Sequence, residues 1–354
     1  MPPTHRTDAP RPTTVALIGA GLAGAACARA LADAGFAVLV FDKSRGVGGR
    51  MATRRTEWTG PDGIAIPARF DHGAPAFEAR SEAFVQFAEA AERDGLLARW
   101  VPVVDRDGQT AQATTPQWVP TPDAPSLCRW LLKDLPVKTG CTVDALRREP
   151  DGWVLESAGV LVARGVDRVV VAIPPAQAAA LLAAHRPDWA ERARAVAMVP
   201  CWTMMAVTDA PAADPPAWDL AEPAADPIGL IVRSDARPGR TRVPGRAHWV
   251  VHASDVWSRA HLEDPPADVL ARLQDALAHK LGPSLAWHHA AVHRWRYAHA
   301  PAEAAVPELC DWDPARGLGA CGDALGGAGV EGAWRSGRAL AARLIEQHRQ
   351  TRPA

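Results

Sequence analysis

The stretch TVALIGAGLAGAACARALADAGFAVLVFD, residues 14–42, contains the pattern that decides the fold. Residues 14–18 predict a buried strand, and residues 22–34 predict an alanine-rich helix. A second strand is predicted over residues 36–41, and Asp42 follows it directly. Together these elements form one β-α-β unit, which predicts an α/β fold with a parallel sheet.

The turn between the first strand and the helix has the pattern G-x-G-x-x-G, formed by Gly19, Ala20, Gly21, Leu22, Ala23 and Gly24. The first glycine permits a tight turn, the second admits a pyrophosphate group, and the third lets the helix pack closely on the sheet. Asp42 is placed to accept hydrogen bonds from ribose hydroxyls. A glycine-rich packing turn is the structural alternative, but the ordered strand, turn, helix, strand and acid favour a dinucleotide site.

A second glycine cluster follows Asp42 in the segment KSRGVGGRM, residues 43–51. NAD needs one phosphate-binding turn, whereas the extended FAD benefits from further backbone amides and from an arginine beside its pyrophosphate. The cluster therefore favours FAD over NAD. The candidate cofactor-binding residues in this cluster are Lys43, Arg45, Gly49, Arg50 and Met51.

Composition limits the other functions of the chain. Its 354 residues predict two domains, and 39 basic against 40 acidic residues give no field that would attract nucleic acid or an anionic membrane. The six cysteines contain no C-x-x-C pair, which predicts reduced thiols, a cytoplasmic location and no metal site. Arg29 and Asp33 interrupt the apolar run of residues 15–41, so no membrane span is expected.

The segment VALIGAGLAGAACARALADAGFAVLVFDKSRGVGGRMATRR, residues 15–55, resembles the opening of the renalase-like branch of the FAD-dependent amine oxidase superfamily. The resemblance extends through the whole chain on a series of short motifs. These motifs are DHGA at 71–74, Trp118, IPP at 173–175, HASDVWSR at 252–259, HRWRYA at 293–298, Gly322-Asp323 and VEGAW at 330–334.

The resemblance implies a Rossmann-type FAD-binding domain and a substrate domain that contains helices and a mixed or antiparallel sheet. The FAD-binding domain is expected to be discontinuous, over residues 1–85, 123–175 and 288–354, with the substrate domain over 86–122 and 176–287. Helical patterns are predicted over 81–94, 266–281 and 331–348, and the proline-rich segment 209–227 predicts an exposed loop. WHHAAVHRWRY, residues 287–297, predicts a strand rather than a metal site.

The resemblance also implies how FAD is held, without a covalent bond. Asp71, His72, Gly73 and Ala74 would turn beneath the flavin ring, although His72 alone reads equally well as an ordinary loop histidine. The backbone near Val143 would meet the adenine, and Gly322 with Asp323 would bind the ribityl or pyrophosphate part. Val330, Glu331 and Gly332 would open a helix whose amides face the flavin pyrimidine and favour the reduced ring.

The implied reaction is oxidation of the 2- and 6-dihydro isomers of NAD(P)H to NAD(P)⁺, with O₂ reduced to H₂O₂. Loss of hydride from such a donor yields an aromatic ring directly, so the absence of an obvious catalytic base in the sequence is acceptable. The pocket candidates are His72, Trp118, His252 and Tyr297. The alternatives are a flavin amine oxidase that acts on a small amine and an FAD-binding protein without turnover.

The sequence departs from the family pattern at positions expected near the ring. Pro75 and Ala76 stand where renalases tend to have Gln and Tyr, and Ala324 stands where they tend to have Trp. Residues 326–329 also lack an arginine that the family has before its Val-Glu-Gly. These changes predict a pocket that is wider and less selective than a renalase pocket.

Overall fold

The structure, a computed structural model, describes residues 11–60, 62–210, 217–225, 227–282, 285–301 and 308–351. The strands in these residues are β1 (Thr14–Ile18), β2 (Ala37–Phe41), β3 (Thr53–Thr59), β4 (Ala65–Asp71), β5 (Leu97–Trp100), β6 (Val103–Arg106), β7 (Gln109–Gln112), β8 (Gln117–Pro120), β9 (Val137–Lys138), β10 (Ala145–Glu149), β11 (Gly152–Ser157), β12 (Val160–Val166), β13 (Arg168–Val171), β14 (Val199–Asp209), β15 (Leu220–Ala221), β16 (Ile228–Arg233), β17 (Arg246–Ala253), β18 (Trp287–His299), β19 (Asp311–Asp313) and β20 (Leu318–Ala320). The helices are α1 (Leu22–Asp33), α2 (Glu82–Arg93), α3 (Ser126–Leu131), α4 (Pro175–Leu182), α5 (Pro187–Ala195), α6 (Asp255–Ala260), α7 (Pro266–Leu281), α8 (Asp323–Gly326) and α9 (Gly329–Thr351).

The β-α-β unit forms the centre of a six-stranded sheet with the order β19-β20-β13-β1-β2-β9. Its strands are parallel except for β19, which runs antiparallel to β20. The predicted strand over residues 14–18 agrees with β1, and α1 ends one residue before the predicted bound. The predicted α/β fold class is therefore confirmed.

Close contact between α1 and α9 completes the core of this domain. A Cβ atom added to Gly337 of α9 would lie 2.1 Å from the carbonyl oxygen of Ala23 in α1. Only glycine permits this approach, which brings Leu340 and Leu344 of α9 into the core. The C-terminal helix is thereby fixed beside the helix that follows the nucleotide turn.

A second, seven-stranded sheet has the order β18-β14-β17-β16-β15-β6-β7. Its pairs are antiparallel except for β15 with β6, so the sheet is mixed. Strand β14, between β18 and β17, is buried along nearly its whole length, and α7 covers one face through Val269, Leu273 and Leu277. Smaller sheets contain β10-β11-β12, β3-β4 and β5-β8.

One strand, β18, belongs to a different sheet from the one that the predicted domain division implies. β18 pairs with β14, with His293 opposite Thr203, although the sequence analysis assigns residues 288–354 to the FAD-binding domain. The chain returns to the six-stranded sheet only at β19. The alternation of residues predicts a strand here, but it contains no information about which sheet the strand joins.

The segment predicted as an exposed loop over residues 209–227 contains a buried strand. β15 adds to the edge of β16, and Trp218, Leu220 and Ala221 are all buried. The prolines that suggested a loop flank this short apolar group, which is long enough to form two pairs in a sheet. Residues 211–216 and 226 of this segment lie outside the described residues.

The described helices include none that is both long and apolar enough to cross a bilayer.

Histidine rings join the β3–β4 hairpin to the seven-stranded sheet. His72, just after β4, lies 4.8 Å from His293 and 5.0 Å from Trp295 of β18, measured between ring centroids. Phe70 of β4 packs in the same way against His248 and His289. Burial lowers the pKa of all four histidines, and it lowers the pKa of His72 to about 4. They therefore pack as neutral rings at neutral pH.

This packing predicts a loss of stability in mild acid. An unfolded histidine has a pKa of about 6.5, so below that pH the unfolded chain binds more protons than the folded chain. The free energy of unfolding should fall as the pH drops from about 6.5 towards 4, by up to about 1.4 kcal/mol per pH unit for each such histidine. Urea unfolding between pH 7.5 and 5 measures this slope.

The variant His72→Gln should make this pH slope shallower, because it removes one of the groups that take up a proton only when the chain unfolds. His279→Gln, at an exposed position on α7, is the matched control and should leave the slope unchanged. Equal slopes for the wild-type protein and His72→Gln would contradict the assignment.

Candidate functional site

A single large cavity lies between the two main sheets, beyond the ends of β1 and β13. Its volume is about 1340 Å³, larger than the roughly 300–1,000 Å³ of typical small-molecule pockets. The nucleotide turn, the second glycine cluster, α4, α5, the ends of β17 and β18, and the start of α9 all line it. In open parallel sheets, ligands bind at this edge, outside the carboxyl ends of the strands.

The glycines of the nucleotide turn have two distinct roles. A Cβ atom on Gly24 would lie 2.0 Å from the carbonyl oxygen of Gly19, and a Cβ atom on Gly19 would lie 2.3 Å from the carbonyl oxygen of Ala172. These two glycines are therefore required by the fold itself. At Gly21, which lines the cavity, the nearest protein atom to an added Cβ is 3.9 Å away.

Gly322 shares this property with Gly21. It lines the cavity from the end of β20, and no protein atom lies within 4 Å of an added Cβ. Both residues have extended or ordinary backbone angles, with φ of −73° at Gly21 and 162° at Gly322. The protein alone does not require glycine at either position. A ligand that approaches the backbone of both residues would require glycine there. The cavity surface around Gly21 and Gly322, which we call the cradle, therefore fits a dinucleotide.

Asp42 lies at the end of β2, where the sequence places the ribose acceptor. Its Oδ2 accepts a hydrogen bond of 2.7 Å from the Ala20 amide, and its Oδ1 accepts one of 2.7 Å from the Ser44 amide. A carboxylate has about four lone-pair positions, so it can accept further donors from the cavity side. Asp42 therefore fixes both glycine clusters relative to each other and still presents acceptor oxygens to a ligand.

A two-point ion pair joins the N-terminal and C-terminal parts of the site. Arg50 donates from both Nη atoms to the carboxylate of Asp323, at 2.8 and 2.6 Å. Arg50 also donates to the carbonyl oxygen of Ala298 at 3.2 Å, and the Ala300 amide donates to Asp323 at 3.3 Å. This pair fixes the second glycine cluster, the end of β18 and the end of β20 around one point of the cavity.

The helix α9 begins at the cavity, two residues earlier than predicted. Gly329, Val330 and Ala333 line the cavity. The carboxylate of Glu331 instead accepts hydrogen bonds of 2.8 and 2.9 Å from the backbone amides of residues 80 and 81, at the start of α2. A Cβ atom on Gly332 would lie 1.4 Å from the Gly327 carbonyl oxygen, so this glycine serves the packing of α8 on α9.

Most residues that the sequence analysis singled out lie together at the cavity. Those that line it are Gly19, Gly21, Leu22, Ala23, Asp42, Lys43, Gly49, Arg50, Met51, Gly73, Ala74, Val143, His252, Tyr297, Gly322, Asp323 and Val330. Those outside its lining are Ala20, Gly24, Arg45, Asp71, His72, Trp118, Glu331 and Gly332.

Trp118 and Asp71 differ most from their expected positions. Trp118 is buried in the core, where its backbone pairs with Phe77 and its ring lies beneath Arg99. Asp71 points away from the cavity into a pair of arginines. Trp118 packs in the core and Asp71 is paired with charged groups inside the protein. A single sequence does not distinguish either environment from a position in a pocket.

The wall that faces the nucleotide turn is formed by β14, β17 and β18. His252 and Cys201 are neighbours there, with 3.6 Å between His252 Nδ1 and Cys201 Sγ. Burial lowers the pKa of His252 to about 4 and raises that of Cys201 to about 12, so both are neutral at pH 7. Trp295 and Tyr297, on alternate positions of β18, complete this wall.

The sequence analysis missed Cys201, Trp295 and the α4–α5 part of the lining. The period-2 alternation of β18 could have indicated Trp295, because it shares a face with His293 and Tyr297. Trp189 and Val196 had no comparable signal, since they follow a helical pattern that also suits a core.

The two classes of glycine give a direct test of the cradle. Gly21→Ala should fold with a free energy of unfolding within about 0.5 kcal/mol of the wild-type apoprotein, yet bind FAD at least tenfold more weakly. Gly24→Ala should destabilise the apoprotein itself by more than 1 kcal/mol, because its Cβ meets a backbone carbonyl. Urea unfolding of apoprotein and FAD titration measure the two effects. Equal loss of stability in both variants would refute the separate roles.

Two family models match parts of the chain. A family model described as "NAD(P)-binding Rossmann-like domain" matches residues 17–91, and one described as "Flavin containing amine oxidoreductase" matches residues 124–345. Cyclohexylamine oxidase from Brevibacterium oxydans IH-35A has a TM-score of 0.69 at 14% identity, over 96% of this chain and 100% of that chain.

Two further solved structures have the same fold. An oxidoreductase from Methanosarcina mazei has a TM-score of 0.66 at 12% identity, over 94% of this chain and 100% of that chain. Wild-type putrescine oxidase bound to putrescine has a TM-score of 0.62 at 15% identity, over 95% and 99%. At these identities the likeness concerns the fold. The family match, over more than half of the sequence, shows that the chain belongs to the flavin-containing amine oxidoreductases and is an FAD-dependent oxidoreductase.

Proposed function

We propose that this enzyme oxidises dihydronicotinamide dinucleotides, in particular the 2- and 6-dihydro isomers of NAD(P)H, and passes the electrons to O₂. The observation that carries this proposal is the neutral pair of His252 and Cys201 on β17 and β14. Arg294 and Arg296 of β18 also line the cavity, and both are paired with Glu263. A site of this kind suits a donor that gives up a hydride without first losing a proton.

The cavity offers little help to an amine substrate. An alkylamine has a pKa near that of lysine, about 10.4, and must lose a proton before it can be oxidised. His252, with a pKa of about 4, is too weak a base to take that proton. Of the four lysines, Lys43 alone lines the cavity, and it lies at the nucleotide end beside Asp42. The carboxylate of Asp255, at the exposed rim, is paired with His299.

A dihydropyridine donor needs no such base. It loses one hydride, becomes an aromatic pyridinium ion, and needs only to be held in one orientation. For each donor oxidised, O₂ takes up two electrons and two protons, one of them from solvent, to give H₂O₂. Trp295 and Tyr297 would pack on the planar ring, and the imidazole of His252 would provide a neutral polar contact.

The residues that would hold FAD follow from the cradle. Gly21 and Gly322 would admit the pyrophosphate, Asp42 would accept from the adenosine ribose, and the Arg50–Asp323 pair lines the same cavity. When bound, FAD supplies the acceptance of the hydride. Val143 and the start of α9 line the cavity, where they would contact the adenine and the pyrimidine edge. The six cysteines are all free and buried, which supports the cytoplasmic location.

We expect FAD to be bound without a covalent link, because the cradle encloses it from both domains. Precipitation of the purified protein with acid should release all of the flavin absorbance into the supernatant. Yellow colour that stays in the pellet would indicate a covalent bond and contradict this expectation.

The substrate proposal is tested by anaerobic stopped-flow reduction of the bound flavin. The reductants are the 2- and 6-dihydro isomers of NADH and NADPH, ordinary NADH and NADPH, cyclohexylamine and putrescine. We expect the two unusual isomers to bleach the flavin at least 100-fold faster than either amine, because their product is aromatic. Weak saturation is expected as well, since Pro75 lines the cavity where renalases tend to have Gln, whereas Ala76 packs against the core and does not reach the cavity.

Aerobic turnover with the best isomer should then yield one H₂O₂ for each NAD(P)⁺. Rapid bleaching by an amine, without a response to the isomers, would assign the enzyme to the amine oxidases instead. Such a result would indicate that Trp295 and Tyr297 bind the amine, because paired aromatic rings also bind amines.

A further inference from the structure

A buried charge cluster lies directly behind the turn that follows β4. Arg237 donates from Nη2 to Oδ2 of Asp71 at 2.6 Å, and Arg240 donates from Nε to the same oxygen at 2.9 Å. The other oxygen of Asp71 accepts from the hydroxyl of Thr53 and, at 3.1 Å, from the amide of Ala124. One carboxylate therefore serves two guanidinium groups.

The charges of this cluster do not balance, and water does not screen them. The side chains of Asp71 and Arg237 are each 1% exposed and that of Arg240 is 7% exposed. The arginines hold the pKa of Asp71 below its usual value against the effect of burial, so the carboxylate is ionised. Burial lowers the pKa of Arg237 only to about 10, so Arg237 stays protonated at neutral pH. An arginine guanidinium is in general not deprotonated in proteins. The cluster thus has one excess positive charge.

The neighbouring buried acids do not supply the missing negative charge. Asp123 is already paired with Arg129 at 2.5 Å and with Arg55 at 3.1 Å. Asp235 lies 3.9 Å from Arg233 and also accepts from the amide of His248. Each of these acids has an arginine partner of its own.

The cluster is coupled to the cavity through the backbone. Arg237 donates from Nη1 to the carbonyl oxygen of Pro75. Residues 73–75 line the cavity, and the amide of Ala74 donates in turn to the carbonyl oxygen of Arg50 at 3.0 Å. The Nε atom of Arg237 is buried without a hydrogen-bond acceptor among the described residues, so part of its charge has no local partner.

We propose that Arg237 and Arg240 tune the site electrostatically: with Asp71 they place one excess positive charge behind residues 73–75, and this charge favours electron-rich ligands and the reduced form of the bound flavin. A charge in a low-dielectric interior acts over a longer range than one at the surface. The same field disfavours a second positive charge nearby. This field and burial together keep His252 neutral. Desolvation lowers the pKa of His252 most, and the positive charge of Arg237 also lowers it.

The test compares three charge states of the cluster in the FAD-loaded full chain. Arg237→Met leaves one arginine with one carboxylate, Asp71→Asn leaves two arginines without a carboxylate, and Arg237→Lys keeps the original balance. The readouts are the reduction potential, from equilibration with a reference dye, and the dissociation constant for sulfite, from bleaching of the flavin. Neither readout depends on the identity of the natural substrate.

Arg237→Met should shift the equilibrium towards oxidised flavin at least tenfold, which is about 30 mV for a two-electron couple, and weaken sulfite binding at least tenfold. Asp71→Asn should shift both in the opposite direction, and Arg237→Lys should stay within threefold of the wild type. Shifts of the same sign in Arg237→Met and Asp71→Asn, or no shift in either, would overturn the proposal.

Arg240→Met removes the same charge from a second position and replaces Arg237→Met if that variant does not retain FAD. It should give a shift of the same sign as that expected for Arg237→Met. Loss of FAD from both methionine variants would show that the arginines act only as a structural clamp, and it would also overturn the proposal.

Discussion

The close approach of backbone atoms at the nucleotide turn is the constraint on which the rest of the molecule depends. Gly24 lies against the carbonyl oxygen of Gly19, and Gly19 lies against Ala172, the residue that follows β13. This contact sets the distance of α1 from the sheet, and α1 in turn fixes α9 through Gly337. The edge of the sheet stays open as a consequence, and that opening is the cavity.

The seven-stranded sheet closes the cavity from the other side, and β18 is its connection to the nucleotide domain. The first half of β18 packs against the β3–β4 hairpin through neutral histidines such as His293. Its last part reaches Arg50 through the carbonyl oxygen of Ala298. A strand of the seven-stranded sheet thus helps to hold the nucleotide turn's side of the cavity, so residues around both sheets line the site.

The sequence predicts the cofactor side of the site better than the substrate side. The glycine turn and Asp42 follow from local rules of backbone geometry, which are visible within about thirty residues. The departure of Trp118 has a different cause, because a core aromatic and a pocket aromatic have the same local pattern. The partner of Asp71 was equally hidden: Arg237 lies 166 residues further along the chain, and no local spacing predicts such a pair.

The ion pair between Arg50 and Asp323 has a consequence for the order of events during synthesis. The two residues are 273 positions apart, so the ribosome adds that many residues after the first partner before the second one exists. The N-terminal β-α-β unit emerges early, but β20 and the start of α9 emerge last. A nascent chain therefore has the dinucleotide fingerprint without a closed cradle. The complete cradle therefore forms only when the C-terminal segment docks onto the N-terminal unit.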